Sequence, residues 1–268
     1  MNEWLVAGAG WLALMAAVET GYRVGRRLPA PGEATQSHVG SLQGAALGLL
    51  ALLLAFTFSM AVSRYDTRKQ LVMDEANAIG TTALRTSLLP EPQRGQARAS
   101  LKAYVAARLA FYGAGEDGAR VDAAQETTAR EQQRLWALAT DVAAQDPRSV
   151  PAGLFVQTLN DSIDLAEKRL VALESHVPGT VMALLFIVST LSFGYLGYGS
   201  ALAGARHFAS TAVFGLLVTL VATIILDIDR PRGGLIRVSQ ASMQRLAASL
   251  AAESGQQPGQ QPAREAPR

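Results

Sequence analysis

The stretch LQGAALGLLALLLAFTFSMAV, Leu42 to Val62, runs for 21 residues without an Asp, Glu, Lys or Arg. A helix of 20 residues is about 30 Å long, the thickness of a bilayer's hydrocarbon core, so this stretch reads as a membrane-crossing helix. Working outward, Val177 to Leu202 is equally free of charge, Phe208 to Leu226 runs directly into Asp227, and Trp4 to Val18 is shorter and meets Glu19. The start of the last, Met-Asn-Glu-Trp, lacks a basic n-region, so it is expected to be a retained helix rather than a cleaved signal. The expectation is an all-α membrane protein with four transmembrane helices, two before and two after a polar helical middle.

The 268 residues are 49% hydrophobic and 17% charged, with a formal net charge of +2. Lys and Arg mix with acids and gather at span ends, which argues against a nucleic-acid partner. There is no cysteine, so disulfides, thiolate metal sites and cysteine nucleophiles are excluded. The three histidines, His38, His176 and His207, stand singly without metal-ligand spacing. No phosphate-binding glycine loop, nucleophile elbow or carboxylate pair is present. The chain is read as a non-enzyme without cofactor or metal.

Orientation follows from basic residues near the span ends. One side receives Arg23, Arg26, Arg27 and Arg206, and the other Arg64, Arg68, Lys69, Lys168, Arg169, Arg230, Arg232, Arg237 and Arg245. Cytoplasmic flanks are the richer in Lys and Arg, so the middle domain and both termini are expected inside the cell of a multi-pass membrane protein.

The expected division is residues 1–62 for spans one and two, 63–176 for the helical middle, 177–228 for spans three and four, 229–253 for a membrane-proximal helix and 254–268 for a disordered tail rich in Gln, Pro and Gly. In the middle, Ser63 to Leu89 continues the second span until Pro90 and Pro92 stop it. Helices follow over 93–112, with Leu101, Tyr104, Val105, Leu109 and Tyr112 on one face, and over 121–145, with Leu135, Leu138 and Val142. A seam of Leu159, Ile163, Ala166, Leu170, Leu173 and Val177 is expected to lead straight into the third span. An amphipathic helix is expected over 235–252.

Two longer motifs resemble a known family. The run from Phe56 to Arg85, FTFSMAVSRYDTRKQLVMDEANAIGTTALR, and the run from Asp227 to Gln240, DIDRPRGGLIRVSQ, are similar to the bestrophin-like domain family of bacterial membrane proteins. The resemblance covers residues 40 to 250. It implies kinship with bestrophins, oligomeric ion channels that mostly conduct anions, with two spans, a cytosolic helical region, two more spans and a cytosolic tail. It further implies a pore lined by the second span, a pentamer and inorganic ions as partners beside the lipid bilayer.

On that reading Leu52, Phe56 and Met60, spaced by four, form an apolar ring able to gate by dewetting; otherwise they face lipid or neighbouring helices. Gly40, Gly44 and Gly48 are expected to allow close helix contact. Arg64, Asp66, Arg68, Glu75 and Asn77 lie just beyond the span. They either form local ion pairs and polar helix contacts, as Asn77 does with Thr81, or surround a vestibule in which arginines favour anions and Glu75 favours cations. Asp227, Asp229 and Arg230 abut the fourth span, where carboxylates must reach the interface, pair with a cation or cap a helix. Animal bestrophins carry an acidic calcium cluster at the matching place, for which two acids are too few. Gly197-Tyr-Gly199 ends a continuous apolar span and is read as helix packing. The rival to a channel is a membrane-anchored sensor or scaffold whose middle domain binds a ligand or partner, with the Leu159–Val177 seam as its transmitting helix.

Overall fold

The computed structural model describes residues 3–28 and 32–255. Residues 256–268 of the expected tail lie outside the described residues. Eight α-helices occur among those described: α1 Glu3–Arg27, α2 Glu33–Arg85, α3 Gln93–Gly113, α4 Gly118–Gln145, α5 Val150–Glu174, α6 Gly179–Leu202, α7 Phe208–Asp229 and α8 Ala241–Gly255, with a 3-10 turn at Thr86–Leu88. No strand occurs among them. Four helical stretches, Trp4–Arg27, Glu33–Leu88, Val150–Leu202 and Phe208–Asp229, have the length and apolar composition to cross a membrane.

The chain divides into two units, Met1–Asp66 with Ser175–Arg237, and Thr67–Glu174 with Val238–Arg268. The first is apolar. Leu14, Leu50, Leu185, Phe193 and Val218 form one buried cluster in it, and Ala61, Val177, Ile225 and Ile228 another. Its closest packing joins α1 to α6 through glycine. A Cβ on Gly197 would sit 1.9 Å from the Val18 carbonyl oxygen, and one on Gly21 1.8 Å from that of Gly194. Only residues without a side chain allow backbones this near. Gly197-Tyr-Gly199 therefore lies inside a packed helix, as its sequence suggests. The glycines of the second span do not behave as expected: a Cβ on Gly40, Gly44 or Gly48 would meet nothing within 4 Å in the chain.

The second unit is a helical bundle around Ile79, Leu101, Tyr104, Leu135, Phe155, Leu159 and Met243, all nearly inaccessible. Two of its helices start where short polar side chains accept backbone N–H groups. The Asp117 carboxylate accepts from Arg120 N at 3.2 Å to open α4, and Ser149 Oγ from Ala152 N at 3.3 Å to open α5. Between α3 and α4 the chain turns at Gly115, whose φ of 60° suits glycine.

Two expectations at element boundaries are corrected. The α5 seam does not run into α6, because Ser175–Pro178 is not helical. Pro178 disfavours helical geometry at Val177, whose N–H donates to the Asp229 carboxylate at 2.9 Å instead. The last helix begins at Ala241, six residues later than expected; the preceding amides of Leu235 and Ile236 bind Asp227, and Ser239 Oγ accepts from Ala241 N at 3.3 Å at the helix start.

Candidate functional site

The second helix, 53 residues long, carries the first motif. Its buried side begins in the first unit with Leu50, Thr57 and Ala61, leaving the opposite face open. Leu52 and Phe56 lie on that open face, 52% and 64% exposed. Met60 does not share it. It is half-buried against the Ala61, Val177, Ile225 and Ile228 cluster, because a residue eight positions from Leu52 is rotated about 80° around the helix. Of the three expected pore residues, the structure places two on one open face and turns the third inward.

Beyond the apolar run, the polar residues separate by face. Asp66 and Asn77 are exposed, as is Thr81, whose hydroxyl donates to the Asn77 carbonyl of the same helix at 2.9 Å. Asn77 and Thr81 thus do not pair across packed helices within the chain. Arg64 is half-buried, and its Nε has no hydrogen-bond partner among the described residues. Arg68 is 4% exposed and donates from Nε to the Ala172 carbonyl at 2.9 Å. Gln70 Nε2 donates to Asp74 at 2.9 Å, not to Asp66.

Glu75 is wholly buried in the second unit. Arg108 Nε donates to its Oε1 at 2.7 Å, and Arg169 Nη1 donates to Oε2. A carboxylate enclosed in this way cannot act in a vestibule. The Arg169 guanidinium lies 3.8 Å from the centre of the Tyr112 ring, and its Nη2 donates to Gln240 Oε1 at 2.9 Å. Arg108 Nη2 adds bonds to Tyr112 Oη at 3.3 Å and the Ala166 carbonyl at 3.4 Å. Burial, reinforced by the Glu75 charge, pushes the neighbouring Tyr104 hydroxyl up to about 12, and burial raises Tyr112 in the same direction. Burial alone would lower the Arg108 pKa, but the Glu75 carboxylate holds it above its ordinary value. Through Arg169, the two family-like motifs meet here: Glu75 comes from the first and Gln240 is the last residue of the second.

Arg108 has no place in the sequence reading, and Arg169 enters it only as a flanking charge and Gln240 only as the end of a motif, yet the two arginines leave a trace there. Arg108 falls among Leu101, Tyr104, Val105 and Phe111 on the buried face of α3, and Arg169 follows Leu159, Ser162 and Ala166 on that of α5. A charge in register with an apolar stripe needs a buried partner.

In the first unit, the Asp227 carboxylate is 5% exposed and accepts from the amides of Leu235 at 2.6 Å and Ile236 at 2.9 Å. A Cβ on Gly234 would lie 2.7 Å from both Asp227 O and Oδ1, so the turn requires glycine there. Asp229 accepts from Val177 N and does not cap a following helix. Arg230 is half-buried beside Asp227, Leu226, Thr223 and Val6, and its own N–H donates to the Asp227 carbonyl at 3.1 Å. The second motif is thus a carboxylate-fastened turn, with both oxygens of Asp227 given to backbone donors.

The fold matches solved structures over nearly the whole chain. The fold is similar to that of a bacterial bestrophin homologue from Klebsiella pneumoniae. A crystal structure of one of its single-site variants aligns at a TM-score of 0.65 and 16% identity over 96% of this chain and 100% of the other. A second crystal structure of that homologue aligns at 0.65 and 16% identity over 94% and 98%. No curated protein sequence matches. The Bestrophin-like domain family model matches residues 11–243, and the chain belongs to the bestrophin-like domain family.

Proposed function

We propose that the protein is an oligomeric ion channel of the cell membrane whose pore is lined by the open face of α2. The spans would pair two and two, in 1–62 and 177–228, with 63–176 and both termini on the cytoplasmic side. The observation that carries this reading is the exposed position of Leu52 and Phe56 on an uncharged span in a member of this family. Bulky apolar side chains exposed around a shared axis would form a constriction that excludes water until it widens. Closure of a ring would supply the neighbours that the chain does not supply itself, and a pentamer is the form implied by kinship with bestrophins.

The sensor or scaffold reading took the α5 seam as a helix transmitting from the middle domain into the third span. The chain is not helical over 175–178, which weakens that support. An anion preference is implied by kinship with bestrophins alone; of the two arginines that would favour anions in a vestibule, Arg68 is committed to the Ala172 carbonyl and Arg64 is half-buried.

Ionic flux through purified protein in liposomes tests the channel. Phe56→Ala is expected to raise flux about tenfold or more, the effect of widening an apolar constriction. Equal flux from wild type and variant would move the pore away from Phe56. No flux from folded, oligomeric protein under varied voltage and pH would end the channel reading.

A further inference from the structure

We infer that the pore entrance next to the span selects cations, with Asp66 as the residue that sets the sign. The inference rests on the channel reading above and deepens it. Rotation of 100° per residue places Ser59, Ser63, Asp66, Gln70, Asp74 and Asn77 within about 40° of Leu52 on the continuous helix α2. None of the six is buried. Both charges among them are carboxylates. The cations of the same segment point elsewhere: Arg64, Arg68 and Lys69 are rotated from Leu52 by at least about 100°.

The tertiary structure fixes this separation. Arg68 is held by Ala172 and Arg85 Nη1 donates to the Leu154 carbonyl at 2.6 Å, while Arg108 and Arg169 are spent on Glu75. Arg68, Arg85, Arg108 and Arg169 are thereby held within the second unit, Arg64 is half-buried, and exposed Lys69 lies about 100° around the helix from Leu52. Asp66 has no hydrogen-bond or ion-pair partner among the described residues. Asp74 is half-buried and accepts from Gln70, which makes it the weaker contributor. Repeated around an axis, one free carboxylate per subunit raises the local concentration of cations and lowers that of anions. The hydroxyl of Ser59, between Phe56 and Asp66, offers oxygen lone pairs to a partly dehydrated cation.

Reversal potentials of the full-length protein in planar bilayers under a potassium chloride gradient test the inference. Wild type is expected to favour potassium over chloride. Asp66→Asn, of the same size on an exposed position, is expected to reduce that ratio about threefold or more, and Asp66→Arg to invert it. Asp74→Asn should act in the same direction and less strongly. The effect of Asp66→Asn should be larger at 0.1 M salt, with a screening length of about 10 Å, than at 1 M, where it is about 3 Å. A conductance that favours chloride, or a ratio untouched by Asp66→Asn, overturns the inference and leaves the channel intact. Absence of any conductance overturns the channel and the inference together.

Discussion

Glu75 shows how little a residue's charge says before its neighbours are known. In the sequence it stands two residues before Asn77 just beyond a membrane span, where ions would pass. In the structure it is the buried anion between Arg108 and Arg169. Removing the carboxylate would leave two guanidinium groups without a counter-charge away from water, so Glu75→Gln is expected to cost about 3–5 kcal/mol and to lower the unfolding temperature of the purified protein sharply. An unchanged unfolding temperature would mean that the cluster is open to water. The tyrosines beside it give a second test. Tyr104 is held up to about 12, above its ordinary value of 10.0. A raised pKa contributes stability that is complete below the unfolded value and is lost as pH climbs through the folded one. Stability should therefore fall between about pH 10 and 12, and less so in Tyr104→Phe, when unfolding is followed by helical circular dichroism. The trace of this cluster was present in the periodicity, as arginines on apolar faces. Its membership was not, because Glu75, Arg108, Arg169 and Gln240 come from four distant parts of the chain.

Among the elements, long uncharged helices announce themselves and their ends do not. Apolar length and an absence of charge placed α2, α6 and α7 correctly, since those properties belong to one segment at a time. Proline placed the start of α3, and α4 starts within three residues of where its apolar stripe was expected to begin. Boundaries set by tertiary bonds escaped. At the interruption before α6, Asp229 takes the Val177 amide that a continuing helix would have used, and before α8 the Asp227 carboxylate holds Leu235 and Ile236 in a turn. Glycine teaches the same lesson. The regular Gly40, Gly44 and Gly48 series touches nothing in the chain, while Gly21 and Gly197 hold α1 against α6 at backbone distance. Gly197→Ala is expected to destabilise the protein by about 3 kcal/mol, because its methyl must displace a backbone carbonyl that packing has fixed. Gly44→Ala, in open space within a helix, should leave stability unchanged or raise it by up to about 1 kcal/mol. Comparison of the two unfolding temperatures in detergent checks this, and equal effects would refute the close crossing.

At the scale of the molecule, function depends on which face of α2 is left open. Hydropathy established that this helix is apolar around its whole circumference in the span, so it gave no direction. Packing in the first unit covers Leu50, Thr57 and Ala61 and leaves Leu52 and Phe56 uncovered. Asp66, at the end of the first unit's part of the helix, is likewise exposed, and packing in the second unit covers Arg68, Glu75 and Ile79. The sign and shape of the proposed pore both follow from this choice of face. By itself the sequence determined the class: an all-helical chain with uncharged stretches long enough to cross a bilayer, and motifs specific enough to name a family. Those properties are local, since span length, composition and short-range periodicity need no partner. The tertiary structure alone decided which charges are neutralised, which residues face outward and where helices stop. Each of those outcomes depends on groups far apart in the chain competing for the same donors, acceptors and buried space.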